Sequence, residues 1–303
     1  MDLSYNPRPR FTEWVVKNGL LSSRFVVVDV GVLGGISPRW EHFGDHLEAH
    51  GFDVLHEAIT PLRAAQRPTH HFHVMGLGNE DGERDVFVAP EPTQTSFYRG
   101  DPSKVAEKRT VAIRRLDTLM SEGTIKRADF IKIDCEGFEP EILKGAQTLL
   151  AGGVIALEVE TNFHTSPILP QSHFGAVCEQ LVPHGFTLFD LAFNRIPRAS
   201  FLDRERSLQI SDAVTVARPA TVNTLFYRDA AAAASDELLK RVAILEIYGM
   251  ADTAYDVLLA GAGQLGDRFP LQDASDLLIR PSNPPTEPEP HESRLQRFLS
   301  RLR

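Results

Sequence analysis

Acidic residues close three apolar segments that have the composition of buried strands. The segments are Phe25–Asp29, Phe130–Asp134 and Val154–Glu160. Parallel strands present their carboxyl ends at one edge of a sheet, and open α/β sheets bind their ligands at that edge. The three carboxylates are therefore expected near one another. Carboxylates grouped in this way can orient a hydroxyl group, accept a proton or bind a divalent cation.

A glycine-rich turn follows the first of these acids. Gly31, Gly34 and Gly35 come directly after the strand, so the backbone turns tightly and can approach a ligand closely. The spacing G-x-x-G-G matches neither the dinucleotide pattern G-x-G-x-x-G nor a phosphate-binding loop with its lysine. Asp29 beside the amide donors disfavours a pyrophosphate and suits a ligand with an ammonium group, such as the amino-acid end of S-adenosylmethionine. The alternative is an ordinary strand that ends in a solvated aspartate.

Another acid stands where the second strand is expected to end. Gly51–Leu55 has the composition of a strand end, and Asp53 follows Asp29 by 24 residues. At about this spacing, nucleotide-binding sheets place an acid that accepts hydrogen bonds from a ribose diol. We predict this role for Asp53, with Glu57 as the alternative.

Two further segments carry side chains that could serve a site. His71 and His73 share one face of a predicted strand and could pair as metal ligands. No third ligand has a matching spacing, so exposed or capping histidines are favoured. The polar loop 93–100 carries Phe97 and Tyr98, and would either cover a site or lie on the surface.

The composition fits a chain that buries a core, and it argues against some functions. Of the 303 residues, 42% are hydrophobic and 24% are charged. The net charge of −9 argues against nucleic acid as a partner. Cys135 and Cys178 form no C-x-x-C pair, and neither a secretory signal nor a membrane-spanning run is visible. A cytoplasmic protein is expected.

Strand and helix patterns alternate as far as residue 191, and paired strands follow. This order predicts an α/β fold with a mostly parallel sheet and an antiparallel edge. Before the second strand, Trp40, Phe43, Leu47 and His50 have helical spacing, which predicts a helix whose core-facing side they form.

The composition changes after residue 229. We expect three parts: a main domain over 1–229, a small helical extension over 230–280, and a proline-rich linker with a basic amphipathic tail over 281–303. In the tail, leucines and a phenylalanine form one apolar stripe between arginines. This tail is expected to contact a protein, a membrane surface or its own domain.

The strongest stretches resemble the FkbM family of S-adenosylmethionine-dependent methyltransferases. The resemblance rests on VVVDVGVLGG, GFDVL and RRLDTL, and above all on DFIKIDCEGFEPEILKGAQTLL with VIALEVETNF after it. It extends over residues 25–229. The resemblance implies that 1–229 is a class I methyltransferase domain with a Rossmann-like α/β fold. Its sheet would have seven strands, mostly parallel with one reversed, and helices on both faces.

The resemblance also implies which residues bind the cofactor. Asp29, Gly31 and Gly35 would surround the methionine end of S-adenosylmethionine, and Asp53 would bind its ribose. Asp134 would face the reaction chamber.

The catalytic candidates lie after the later strands. The resemblance places Glu136 in the chamber with Asp134. A neutral hydroxyl acceptor needs a base, and a histidine with a pKa near ~6.5 suits that task better than a free carboxylate. His164, four residues after Glu160, is therefore the expected base. A divalent cation held by Asp134 with Glu136 or Glu160 is left open.

For function, the resemblance implies methylation of an oxygen, often a sugar hydroxyl in glycan or natural-product biosynthesis, with a small-molecule or glycan acceptor. A small carboxylic acid is an alternative acceptor. Leu33 and Val54 depart from the family pattern, which leaves open a protein that binds the cofactor without catalysis. An NAD(P)-linked oxidoreductase is disfavoured because G-x-G-x-x-G is absent. Homo-oligomerisation is also left open.

Overall fold

The structure is a computed structural model that describes residues 3–65, 67–99, 105–163, 172–196 and 218–279. Its strands are β1 Phe25–Val30, β2 Leu47–Asp53, β3 His70–Val74, β4 Gly76–Leu77, β5 Gly82–Val88, β6 Glu107–Arg114, β7 Phe130–Ile133, β8 Ala156–Asn162, β9 Phe186–Ile196 and β10 Arg218–Arg228. Its α-helices are α1 Arg10–Lys17, α2 His56–Ala64, α3 Leu116–Ser121, α4 Glu139–Lys144, α5 Gln147–Ala151, α6 Phe174–Leu181, α7 Ser235–Ile247, α8 Ala251–Ala260 and α9 Leu271–Ile279. Short 3-10 helices lie at Pro38–His46, Pro92–Gln94, Val182–His184 and Ala262–Gln264.

Seven of these strands form one sheet, in the order β3-β2-β1-β7-β8-β10-β9. The first five are parallel, and β10 is antiparallel to both of its neighbours, so β9 runs in the same direction as the first five. Six parallel strands and one reversed strand in this order form the sheet of the class I methyltransferase fold, which confirms the expected fold class. Strands β4, β6 and β5 form a second, three-stranded sheet.

The central strand β1 is buried along its whole length. Valines occupy four of its six positions, and β-branched side chains pack well on a pleated surface. Successive side chains of a strand point to opposite faces. Phe25 and Val27 therefore enter the core on one face, and Val28 and Val30 enter the core on the other.

Helices cover both faces of the sheet. On the face of Val28, buried side chains of α3, α4, α5 and α6 complete the core. On the face of Phe25, α1 packs together with α7, α8 and α9. Leu238 and Val242 of α7 and Leu258 of α8 belong to the same hydrophobic cluster as Phe25. The C-terminal helices therefore bury apolar surface of the main sheet.

One predicted helix is wrong in its second half. The 3-10 helix at Pro38–His46 is broken at Gly44, whose φ is 52° and ψ is −127°, and β2 begins at Leu47. Trp40 and Phe43 are buried in the core as expected. Leu47 and His50 are buried too, but as strand residues. Four buried residues spaced three or four apart fit a helix, and they also fit a short helix followed by a strand.

The predicted tail over 281–303 and the predicted base His164 lie outside the described residues. Within the part of the chain that the structure describes, no helix combines the length and the apolar character needed to cross a membrane.

Candidate active site

A cleft opens at the edge of the sheet where β1, β2 and β7 end. Its volume is about 600 Å³, including space that is open to solvent. Four predicted site residues line it, namely Gly31, Asp53, Asp134 and Glu136. Apolar side chains form much of its wall, among them Phe52, Met75, Leu77, Phe97 and Ile142. This is the position at which an open α/β sheet binds its ligand.

Gly31 allows the ends of β1 and β7 to lie close together. Its φ of +83° is in the left-handed region, which favours glycine. A Cβ atom at this position would lie 2.0 Å from the backbone oxygen of Asp134. The backbone N–H of Asp134 donates to the carbonyl of Val30 at 3.0 Å, so the two strand ends are joined here. A larger residue at position 31 would push them apart.

Asp53 lies at the end of β2 and is half-buried. Its Oδ1 accepts a hydrogen bond from the backbone N–H of Leu55 at 2.8 Å, which fixes the carboxylate at the rim of the cleft. Burial raises the pKa of Asp53 above its ordinary value. The alternative, Glu57, is exposed in the first turn of α2, and its Oε1 is bonded to Arg109 Nη1 at 2.9 Å. The geometry therefore favours Asp53 over Glu57 as a ligand for a molecule in the cleft.

The turn after β7 holds a residue in a strained conformation. Glu136 has a φ of +52°, which is uncommon for a residue other than glycine and costs about 1–3 kcal/mol. Two side chains hold the turn in place through three hydrogen bonds. Glu139 Oε1 accepts the N–H groups of Cys135 at 2.7 Å and Gly137 at 3.3 Å, and Ser96 Oγ donates to the carbonyl of Glu136 at 2.9 Å. Glu139, the first residue of α4, thus braces the turn that carries Glu136.

The carboxyl groups around this turn stay protonated up to about neutral pH. Burial, together with the charges of Asp134 and Glu139, raises the pKa of Glu136 to about 7. Burial and the neighbouring acids also raise the pKa of Glu160 to about 8. Burial raises the pKa of Glu139 to about 7. Near neutral pH this group of acids can therefore hold or accept a proton, which is the property required of a general base.

The loop between β5 and β6 forms one wall of the cleft. Thr95, Ser96 and Phe97 line the cleft, and the rings of Phe97 and Tyr98 pack on Phe138, with centroids 4.7 and 5.4 Å away. Of the two readings of this loop, the structure therefore supports the one in which it covers a site.

A partly buried chain of charged side chains lies next to the cleft, across β1, β7 and β8. Lys132 Nζ lies 3.1 Å from Asp134 Oδ2 and 4.0 Å from Asp29 Oδ1. Burial raises the pKa of Asp29 to about 7, against the opposing effect of Lys132. On β8, Glu158 pairs with Arg39 at 3.2 Å and accepts a hydrogen bond from Tyr248 at 2.7 Å.

Lys132 was not predicted as a site residue, although its partners Asp29 and Asp134 were. The sequence contained one indication of this role: Lys132 alternates with apolar residues inside a strand. A lysine in a buried strand must find partners. Lys132 orients the Asp134 carboxylate and is therefore a positioning residue.

Residues 48–186 match the family model described as the methyltransferase FkbM domain. This segment of the chain is therefore similar to a methyltransferase FkbM domain. The matched segment runs from β2 to the start of β9 and includes Asp53, Asp134 and Glu136. No curated protein matches the chain.

Solved structures resemble the chain more distantly. An FkbM methyltransferase from Methylobacillus flagellatus KT has 14% identity and a TM-score of 0.38, over 72% of this chain and 47% of that chain. This chain thus spans about half of that protein. An S-adenosylmethionine-dependent methyltransferase from Mesorhizobium loti has 13% identity and a TM-score of 0.35, over 72% and 98% of the two chains. The N-methyltransferase NodS from Bradyrhizobium japonicum WM9, in complex with S-adenosylhomocysteine, has 12% identity and a TM-score of 0.34, over 74% and 89%. The fold assignment rests on the strand order of the chain itself.

The structure brings the predicted site residues only partly together. Gly31, Asp53, Asp134 and Glu136 meet in the cleft. Asp29 is buried beside Lys132, and Gly35 faces Leu62 of α2, so neither lines the cleft. Their contact with a cofactor stays a prediction.

A cation among the acids of the cleft also stays a prediction. In the described part of the chain, three potential ligand atoms come close enough together for one ion only at Glu48, His50 and His71, away from these acids.

Proposed function

We propose that the chain is an S-adenosylmethionine-dependent O-methyltransferase whose acceptor is a sugar hydroxyl in glycan or natural-product biosynthesis. The similarity to the FkbM domain and the strand order support the reaction class. The observation that carries the proposal is the meeting, in one cleft, of Gly31, Asp53, Asp134 and Glu136, and the pKa of Glu136 is raised to about 7.

The residues of the cleft fit S-adenosylmethionine, which supplies an electrophilic methyl group when it is bound. Asp53 can accept hydrogen bonds from two ribose hydroxyls, and a carboxylate makes such bonds stronger than a neutral acceptor does. Phe52, Met75 and Phe97 offer an apolar wall suited to a purine ring. Asp29 Oδ1 is buried and has no hydrogen-bond partner among the described residues, which suits the ammonium group of a bound amino acid nearby.

The chain must also hold the acceptor in line and remove its proton. Positioning alone supplies on the order of 7–11 kcal/mol in well-oriented reactions. We assign the orientation of the acceptor hydroxyl to Asp134, which Lys132 holds at 3.1 Å. The proton then passes to a nearby base. His164 remains the first candidate. Glu136 and Glu160 are the candidates among the described residues, and with pKa values of about 7 and about 8 each becomes a carboxylate that can accept the proton only near or above that pH.

A small carboxylic acid is the second candidate acceptor, and a protein that binds the cofactor without turnover is the third. A carboxylate acceptor needs no base, so its methylation would not depend on the raised pKa values of Glu136 and Glu160.

The test is a screen with methyl-labelled S-adenosylmethionine against free sugars, nucleotide sugars, glycans and small carboxylic acids. We expect label in a hydroxyl-bearing sugar with the wild-type chain, and none with Asp134→Asn. Label only in carboxylic acids would contradict the assignment of the acceptor. Tight cofactor binding without transfer to any of these acceptors would favour the non-catalytic alternative.

A further inference from the structure

Three polar side chains lie together on one face of the sheet, at the edge formed by β3. Glu48 and His50 are two residues apart on β2 and therefore point to the same face. His71 of β3 is directly opposite His50 in the parallel register. Its side chain lies on the same face as those of Glu48 and His50.

These side chains are close enough to share one ion. Potential ligand atoms of Glu48, His50 and His71 all lie within 4.8 Å of one another. Glu48 Oε1 and His50 Nε2 are already 3.2 Å apart, and the rings of His50 and His71 have centroids 4.9 Å apart. A tetrahedral zinc with bonds of about 2.0–2.1 Å needs ligand atoms about 3.3 Å apart. Side-chain movements on the order of 1 Å therefore complete the shell.

The polar groups of this face are incompletely satisfied by the protein. His50 is 4% exposed, and its Nδ1 is buried without a hydrogen-bond partner in the described ranges. Nε2 of the neighbouring His73 is buried and unpartnered in the same way. Buried nitrogens of this kind normally have partners.

We propose that Glu48, His50 and His71 bind one divalent transition-metal ion, with Zn²⁺ as the best match. Two imidazoles and a carboxylate are ligands that zinc accepts, whereas Mg²⁺ and Ca²⁺ prefer oxygen ligands. His71 is exposed, so the ion can enter from solvent and keep a water molecule in its fourth position.

The ion would tie the edge strand β3 to β2. Glu48 and His50 belong to β2 and His71 to β3, so each metal ion bridges the two strands. Such a bridge stabilises the folded state, because the unfolded chain does not hold the three ligands together. The site is distinct from the cleft at the end of β2, and the proposal does not depend on the proposed methyl transfer.

The test uses the full chain, freed of metal with a chelator and titrated with Co²⁺ and then Zn²⁺. A tetrahedral Co²⁺ complex absorbs strongly in the visible range, and Zn²⁺ should displace it. We expect one Co²⁺ per chain with this spectrum, and a higher melting temperature in Zn²⁺. His71→Ala changes an exposed ligand, and Glu48→Gln keeps the shape of the side chain but removes its charge. Each should weaken Zn²⁺ binding by about 100-fold or more, because even the partners of metal ligands contribute roughly 10–100-fold.

His70→Ala is the matched control, since His70 precedes His71 on the same strand but points to the opposite face. It should bind Zn²⁺ as the wild type does. The proposal is overturned if the wild-type chain forms no tetrahedral Co²⁺ complex, or if His70→Ala and His71→Ala weaken Zn²⁺ binding equally. It is also overturned if Glu48→Gln and His71→Ala both keep wild-type affinity.

Discussion

At the scale of single residues, turnover should depend most strongly on Asp134. Asp134 lines the cleft, ends the strand next to β1 and is held by Lys132 at 3.1 Å. Glu136 and Glu160 lie close enough to Asp134 for its charge to raise their pKa values. A change at Asp134 therefore affects both the orientation of the acceptor and the basicity of its neighbours.

We predict that Asp134→Asn lowers kcat by ~100-fold or more and changes the affinity for S-adenosylmethionine little, because general acid–base groups typically contribute roughly 10²–10⁴-fold. His164→Ala should lower kcat by a smaller factor. Asp85→Asn serves as the control and should leave kcat unchanged, because Asp85 pairs with Lys108 and does not line the cleft. Steady-state kinetics on an acceptor from the screen measure all three. Full activity in Asp134→Asn would remove this residue from the mechanism.

At the scale of elements, the glycine turn after β1 contains two glycines with similar backbone angles and different surroundings. Gly31 has a φ of +83° and Gly34 a φ of +87°. A Cβ at Gly31 would lie 2.0 Å from the backbone oxygen of Asp134, whereas a Cβ at Gly34 would have nothing within 4 Å. Substitutions at these two glycines therefore distinguish the energetic cost of a left-handed backbone from the cost of forcing β1 and β7 apart.

Gly34→Ala should therefore lower the free energy of unfolding by about 1–2 kcal/mol, the cost of the left-handed conformation alone. Gly31→Ala should lower it by about 3 kcal/mol or more and should also abolish cofactor binding, since β1 and β7 must separate at the cleft. Denaturant unfolding and a cofactor titration on both variants measure this difference. Equal effects of the two substitutions would show that the close approach of Gly31 to Asp134 is unimportant.

At the scale of the whole molecule, a buried lysine of α7, Lys240, links the C-terminal helices to the sheet. Lys240 is fully buried, and its Nζ lies 3.1 Å from Asp236 and 3.3 Å from Asp129, while it also donates to the carbonyl of Arg24 at 2.7 Å. Asp129 in turn accepts the backbone N–H of Val26 at 2.7 Å. The pair therefore joins α7 directly to β1.

Lys240→Met should lower the free energy of unfolding by about 3–5 kcal/mol, because it removes the buried ammonium group that pairs with the buried carboxylate of Asp129. Lys108→Met is the matched control, since Lys108 makes an exposed pair with Asp85 at 2.6 Å that solvent screens and that should contribute little to the free energy of unfolding. Denaturant unfolding measures both variants. Similar small losses in both would mean that α7 is not fastened to the sheet in solution.

The group of acids at the cleft also predicts how stability varies with pH. A carboxyl such as Glu160 has an ordinary pKa of 4.5, and folding raises its pKa to about 8. Between these values the folded chain binds more protons than the unfolded chain, so stability falls as the pH rises. The melting temperature should decrease from pH ~5 to ~8. Glu160→Gln should reduce this slope, and exposed Glu83→Gln should not. A melting temperature that rises over this range would contradict the raised pKa values.

Much of this architecture could be predicted from local sequence, because a valine-rich strand such as β1 and a turn such as Gly31–Gly35 are encoded by adjacent residues. Features that depend on distant residues could not. The strained φ of Glu136 depends on Ser96, which lies 40 residues earlier, and Glu246 accepts the backbone N–H groups of Phe11 and Thr12 across 234 or more residues.

The same reason explains what was missed at the edge of the sheet. His71 and His73 were recognised as a pair, but Glu48 and His50, the two other ligands of the proposed site, come from β2, in a segment that was interpreted as a helix. Only the register between β2 and β3 brings His50 opposite His71. The cytoplasmic location, the contact of the tail and homo-oligomerisation stay predictions.

The most direct test of the central claim is a calorimetric titration of S-adenosylmethionine into the wild-type chain, Asp53→Ala and Glu57→Ala. The wild type should bind one cofactor per chain, with S-adenosylhomocysteine competing and NAD showing no binding. Asp53→Ala should weaken binding by more than about tenfold, because a hydrogen bond to a charged group contributes roughly 1.5–3 kcal/mol. Glu57→Ala should bind as the wild type does, since Glu57 is exposed and paired with Arg109. Wild-type protein that binds NAD but not S-adenosylmethionine would contradict the proposed cofactor. A loss of binding in Glu57→Ala that Asp53→Ala does not show would contradict the role of Asp53.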